Sequence, residues 1–104
     1  MITITYKTIG GDLKQPEQTI INIFNGKMFV RYNIPNKAKA TVDKMKQDGK
    51  KGVLFSRGCL IQIFNGKTEQ EILEIARQDI KNGLYIAETK TKQKLEIIDY
   101  EEKI

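Results

Sequence analysis

The chain has 104 residues, 39% of them hydrophobic and 30% charged. That is one domain's worth of sequence, able to bury a single core and too apolar and too patterned to be disordered. There is no His and one Cys, Cys59, which removes the commonest general base, an intramolecular disulfide and a Cys-rich zinc site together. A lone thiol suits a reducing compartment, no apolar run approaches a membrane span, and the first residues lack the apolar stretch of a signal peptide, so a cytoplasmic protein is expected.

From Met1 to Ile9 apolar and polar residues alternate, with Ile2, Ile4 and Tyr6 on one side and Thr3, Thr5 and Lys7 on the other. This is the pattern of a half-buried strand rich in β-branched residues. Gly10-Gly11-Asp12 ends it, and a polar loop containing Pro16 follows. Thr19 to Phe24 reads as a second strand and Met28 to Ile34 as a third. Between them stands Asn25-Gly26, the strongest short-range hairpin signal because both residues accept positive φ. Pro35 suits a helix start, with Asn33 or Asn36 as candidate caps, and the helix should run to about Gln47 with Ala38, Thr41, Val42 and Met45 on its apolar face. Val53 to Ser56 and Cys59 to Phe64 read as strands joined by a tight Arg57-Gly58 turn.

Thr68 and Glu71 form a T-x-x-E capping box at the head of the clearest helix, whose stripe is Ile72, Leu73, Ile75, Ala76 and Ile80. Lys81 complements the helix dipole in the last turn, and Asn82-Gly83-Leu84 is a Schellman-type ending. Leu84 to Thr89 reads as a strand, Lys90 to Gln93 as a polar turn and Leu95 to Tyr100 as a last strand, after which the chain should fray. The expected fold is α+β, a single domain over 1–104: a two-layer structure with two helices on one face of an antiparallel sheet. Residues 28–89 would form a ferredoxin-like βαββαβ core, with extra strands at both ends. A three-stranded meander of residues 1–34 at one sheet edge is the alternative. Ile21-Asn-Ile-Phe-Asn-Gly-Lys27 recurs as Ile61-Gln-Ile-Phe-Asn-Gly-Lys67. Two copies do not make a solenoid, so the recurrence reads as one local solution used twice, a strand ended by a positive-φ turn.

The residues offer little for catalysis. Cys59 has no His to pair with and sits where a small buried residue belongs. Gly66-Lys67-Thr68 resembles the end of a phosphate-binding loop, but position 61, where that loop needs Gly, is Ile. Glu69, Glu71 and Glu74 decorate a solvated helix, and Asp99, Glu101 and Glu102 lie near the end. No enzyme activity and no cofactor are expected.

Charge is uneven. Lys27, Arg31, Lys37, Lys39, Lys44, Lys46, Lys50, Lys51 and Arg57 stand against only Asp43 and Asp48 over 27–58, a local +7 within a chain of net +5. Such asymmetry suits an anionic partner. If Met28, Val30, Tyr32 and Ile34 face the helices, Phe29, Arg31 and Asn33 face away. Placing Cys59, Ile61 and Ile63 inward would turn Leu60, Gln62 and Phe64 outward, and placing Leu84 inward would turn Tyr85 outward. The outward face would then carry Phe29, Arg31, Gln62, Phe64 and Tyr85, rings and a cation suited to single-stranded nucleic acid.

Arg57-Gly58-Cys59-Leu60-Ile61-Gln62-Ile63-Phe64 resembles the RNP1 octamer of RNA-recognition-motif domains in its opening Arg-Gly and closing Phe. Met28-Phe29-Val30 resembles the start of RNP2. The resemblance implies a base-stacking sheet face, although Cys59 and Ile61 stand where that family has aromatic residues.

Two functions are therefore expected in order. The first is a small non-enzymatic accessory or inhibitor protein, of a phage or other mobile element, acting on an acidic or nucleic-acid-binding protein partner through its basic surface. The second is direct binding of single-stranded RNA or DNA through the basic block and the open sheet face. The 15 Lys and 16 Ile, both encoded by AT-rich codons, suit an AT-rich bacterial, phage or plasmid genome. No membrane association is expected, and a homodimer through a long exposed edge strand is compatible with these features.

Overall fold

A computed structural model describes residues 1–85 and 95–104. The described elements follow the chain as β1 (Ile2–Ile9), β2 (Glu17–Phe24), β3 (Lys27–Tyr32), α1 (Pro35–Gln47), β4 (Val53–Ser56), β5 (Cys59–Ile63), α2 (Glu69–Lys81) and β6 (Glu96–Lys103). The strands form one antiparallel sheet in the order β4-β5-β3-β2-β1-β6. Two hairpins set most of its register. Asn25 and Gly26 at φ 52 and 70, and Arg57 and Gly58 at φ 51 and 74, are the paired positive-φ residues of tight two-residue turns whose twist matches that of the strands.

The helices form the second layer. α1 lies over β3, β4 and β5, and α2 packs on β2. Ala38, Val42 and Met45 of α1 and Ile72, Leu73, Ala76 and Ile80 of α2 close over Ile2, Ile4, Tyr6, Ile21, Ile23, Met28, Val30 and Leu60 of the sheet. Each fully buried Ile or Leu in such a core contributes roughly 1.5–3 kcal/mol. The Thr68–Glu71 capping box is present in both directions. Gly83 N–H donates to Ile80 O and Leu84 N–H to Asp79 O, the two bonds of a Schellman ending. α1 begins on Pro35 after Ile34 and has no side-chain cap. Asn33, expected as a candidate cap, instead accepts from Gln18 N–H at 3.1 Å and so ties the end of β3 to β2. Lys37 holds α1 to the start of β2 through Glu17 at 2.7 Å.

The strand order departs from a ferredoxin-like core. β3 and β4 run parallel with β5 between them, joined through α1, so the first split β-α-β unit is present. In a ferredoxin-like sheet the place beside β3 belongs to the strand that follows the second helix. Here β2 fills it, paired with β3 through the Asn25-Gly26 hairpin. After α2 the next described strand is β6, beside β1 at the far edge. Leu84 and Tyr85 lie in the turn after α2 rather than in a strand, and the rest of the strand expected over 84–89, with the turn over 90–93, lies outside the described residues. Residues 1–24 widen the sheet instead of covering it.

The C-terminal residues do not fray. Glu101, Glu102 and Lys103 pair with Thr5, Ile4 and Thr3 of β1. Glu102 receives Arg77 of α2 through both carboxylate oxygens, at 2.6 and 2.9 Å, and the Tyr100 hydroxyl at 2.6 Å. The Arg77 guanidinium holds the Glu102 carboxyl at about 2, well below its ordinary 4.5. A depressed folded-state pKa adds stability above the unfolded value, and that stability is lost as pH falls through the folded value. Glu102→Gln should therefore unfold at lower urea than the parent at pH 7, and the difference should close between pH 4.5 and about 2. Urea unfolding midpoints of both proteins across that window check this.

Candidate functional site

The register assigns every strand residue to a face, since directly opposed residues in an antiparallel pair share one. Leu60 opposes Val30 and Phe55, and Gln62 opposes Met28 and Val53. Leu60 and Gln62 thus face the helices. Cys59, Ile61 and Ile63 face away, the reverse of the sequence expectation. Phe64 continues the inward set and packs against the core. Tyr85 is fully buried, and its hydroxyl lies 3.4 Å from Gln62 Oε1 and 3.2 Å from Asp79 Oδ2. Burial, then the nearby Asp79 carboxylate, pushes the Tyr85 hydroxyl pKa well up, so it remains a neutral donor. Phe64 and Tyr85 therefore leave the outward face, because an amide at position 62 could be buried with a tyrosine donor waiting for it.

Phe29 and Arg31 do face outward, as expected. The row through Phe29 runs Leu54, Ile61, Phe29, Asn22, Thr3 and Lys103 from one edge to the other. The row through Arg31 runs Ser56, Cys59, Arg31, Ile20, Thr5 and Glu101. Ile63, Lys27 and Phe24 form a third. Phe24 stacks on Phe29 with ring centroids 4.9 Å apart. Leu54 is 49% exposed and Ile63 36%. Among the described residues no helix covers this face. The outward positions of β2 to β5 hold no carboxylate, and the face turns acidic only at β6, with Glu96 and Glu101.

Cys59 is buried, yet on this outward side rather than in the helix-facing core. Burial raises its thiol pKa, and the neighbouring Arg31 guanidinium opposes that rise. Among the described residues no three His, Cys, Asp or Glu side chains cluster to hold a metal, and no helix is long and apolar enough to cross a membrane.

The basic block does not gather: Lys27 and Arg31 lie on the outward sheet face, Lys37, Lys39, Lys44 and Lys46 lie on α1 on the other side of the sheet, and the rest divide between the two ends of β4. Lys46, near the end of α1, and Lys50 and Lys51 lie toward the start of β4. Arg57 lies at the other end of β4, where its turn partner Gly58 abuts Pro35, the first residue of α1. Lys37 is held by Glu17 and Lys39 by Asp43, at 2.7 and 2.8 Å. Both of these expected binding residues are thus engaged within the chain, and Lys44 lies at the surface of the same helix.

Both sheet edges are single strands, and they differ. β6 carries Glu96, Asp99, Glu101, Glu102 and Lys103, and its register against β1 shifts at a bulge, the features by which edges are kept from pairing. β4 reads Val-Leu-Phe-Ser with no charge and no bulge, and Phe55 is 40% exposed. Comparison with protein-family models, curated proteins and solved structures finds no match to this chain.

Two of the three rings expected on the outward face, Phe29 and Phe64, differ in a measurable manner. Phe64→Ala should cost ~2 kcal/mol or more of unfolding free energy, as a core truncation does. Phe29→Ala should cost ~1 kcal/mol, the worth of an aromatic pair and partial burial. Urea titration of both variants checks the assignment.

Proposed function

We propose that this chain is a non-enzymatic protein-binding module, an accessory or inhibitory protein that docks on an acidic protein surface. The observation that carries this reading is the outward side of β2 to β5. Leu54, Ile61, Ile63, Phe24 and Phe29 make an apolar strip with Lys27 and Arg31 among them, no carboxylate at these strand positions, and alongside it an edge that no described strand pairs with. Interfaces combine a desolvated apolar centre with a charged rim that steers encounter, and this face has both. The missing His and the buried, raised Cys59 thiol favour binding over catalysis.

Direct binding of single-stranded nucleic acid keeps one supporting feature, the Phe24–Phe29 stack between Lys27 and Arg31. It loses Phe64 and Tyr85, and the two rings left cover each other's faces rather than offering two platforms to bases. Most of the basic block also lies on α1 and at the ends of β4, away from those rings.

The test pairs a capture experiment with a titration. From nuclease-treated lysate of a candidate bacterial host, the parent chain should retain an acidic protein that Leu54→Asp and Ile63→Asp variants, folded by circular dichroism, release. Glu74→Lys, on α2, should retain it. A fluorescent oligothymidylate should show no saturable binding at about 50 mM salt, where phosphate contacts are strong. Saturable oligonucleotide binding that Phe29→Ala abolishes would replace this reading with the nucleic-acid one.

A further inference from the structure

We infer that the outer edge of β4 accepts an extended segment of a partner protein as an added strand, and that this segment carries acidic residues on both sides of a short apolar centre. The inference rests on the protein-binding reading and names how that surface engages.

The hydrogen-bonding geometry comes first. Ser56 and Cys59 close the two-residue hairpin, and Gly52 O accepts from Ile63 N–H at 2.9 Å. Residues 52, 54 and 56 therefore direct their backbone polar groups to β5. By alternation, Val53 and Phe55 direct their N–H and C=O groups outward, where no described strand receives them. A strand laid antiparallel there gains two pairs of backbone bonds. It also meets Leu54 on the outward face of the sheet and Phe55 on the other, both exposed.

The charges choose the occupant. Lys50 and Lys51 precede β4 and Arg57 follows it, and Asp43 and Asp48, both on α1 or its cap, are the only acidic residues between 27 and 58. A second copy of this chain would pair about a two-fold axis at Leu54, with Val53 opposite Phe55. That arrangement sets the Lys50–Lys51 end of each copy beside the Arg57 turn of the other, cation against cation. A segment with acidic flanks meets opposite charge at both ends, and like-charge juxtaposition is how interfaces reject wrong partners. Strand addition draws affinity from the main chain and selectivity from side-chain pockets and flanks.

The probe is a synthetic peptide, Glu-Ser-Thr-Ile-Thr-Ser-Glu with blocked termini, titrated into the full chain labelled with 15N. The expected result is saturable binding that weakens with salt, with the Val53 and Phe55 amides shifted and slowed in hydrogen exchange. The same peptide with Lys in place of both Glu should bind at least tenfold more weakly. Phe55→Pro deletes the outward donor without removing a β5 bond and should abolish binding, while Phe55→Ala loses the same ring but keeps the donor and should retain most of it; both are checked for folding by their β5 amide spectra. Lys51→Glu should weaken the acidic peptide and promote self-association in sedimentation, since it then faces Arg57 of a second copy. Absence of binding at about 1 mM peptide, equal binding of the Lys peptide, or indifference to Phe55→Pro overturns the inference. So does dimerisation of the parent chain through β4. If the peptide fails while the captured partner still depends on Leu54 and Ile63, strand addition is wrong and the protein-binding reading stands; if both fail, the reading itself is wrong.

Discussion

The pairing of β5 between β3 and β4, with Leu60 opposite both Val30 and Phe55, determines which half of β5 joins the core and which half meets solvent. Everything distinctive about the outward face descends from that register. It buries Leu60 and Gln62, sends Ile61 and Ile63 outward beside Phe29, and leaves β4 as an uncharged edge. A slip of one residue would exchange the two sets. The buried amide of Gln62 meets the Tyr85 hydroxyl from the turn after α2; a buried polar group without such a partner costs roughly 1–3 kcal/mol.

The repeated heptapeptide makes the same point. In β2, Ile21 and Ile23 are buried and Asn22 and Phe24 lie outward; in β5, Ile61 and Ile63 lie outward and Gln62 inward, with Phe64 just after the strand packed against the core. Both copies end in Asn-Gly, but Asn25 and Gly26 both take positive φ whereas in the second copy only Gly66 does, and a strand follows the first and a helix the second. Near-identical residues thus present opposite faces, because β2 is the antiparallel neighbour of β3 on one side and β5 its neighbour on the other, each with a register set by its own turn. The recurrence is a local strand-and-turn solution, and its residues carry no instruction about which way to point.

The sheet is polarised from edge to edge. Toward β6, carboxylates, a bulge and the Arg77–Glu102 clasp close the edge and tie it to α2. Toward β4, apolar side chains and cations stand without acidic company on the sheet itself. An edge strand with exposed Leu and Phe invites pairing, and repulsion between like-charged ends disfavours self-pairing while leaving room for an oppositely charged strand. The charge asymmetry visible along the chain is not expressed in space as one patch, since Lys27 and Arg31 lie on the outward face, the α1 lysines on the other side of the sheet, and Lys50 and Lys51 are separated from Arg57 by the length of β4.

From residues alone, the elements were legible: α1 over 35–47, β4 over 53–56, the capping box and Schellman ending of α2, and the two tight turns, because each rests on local periodicity or on φ preferences that act within a few residues. The α+β class and the outward placement of Phe29 and Arg31 followed from the same alternation. Long-range pairing decided the rest. Which strand lies beside β3, which face of β5 is buried, that Tyr85 belongs to the core and Phe64 packs against it, and that residues 101–103 are held by β1 and Arg77 all depend on contacts between residues distant in the chain. Side-chain alternation has only two phases and names neither; an apolar Ile at 61 satisfies both, and only the neighbouring strands and the Tyr85 hydroxyl choose between them.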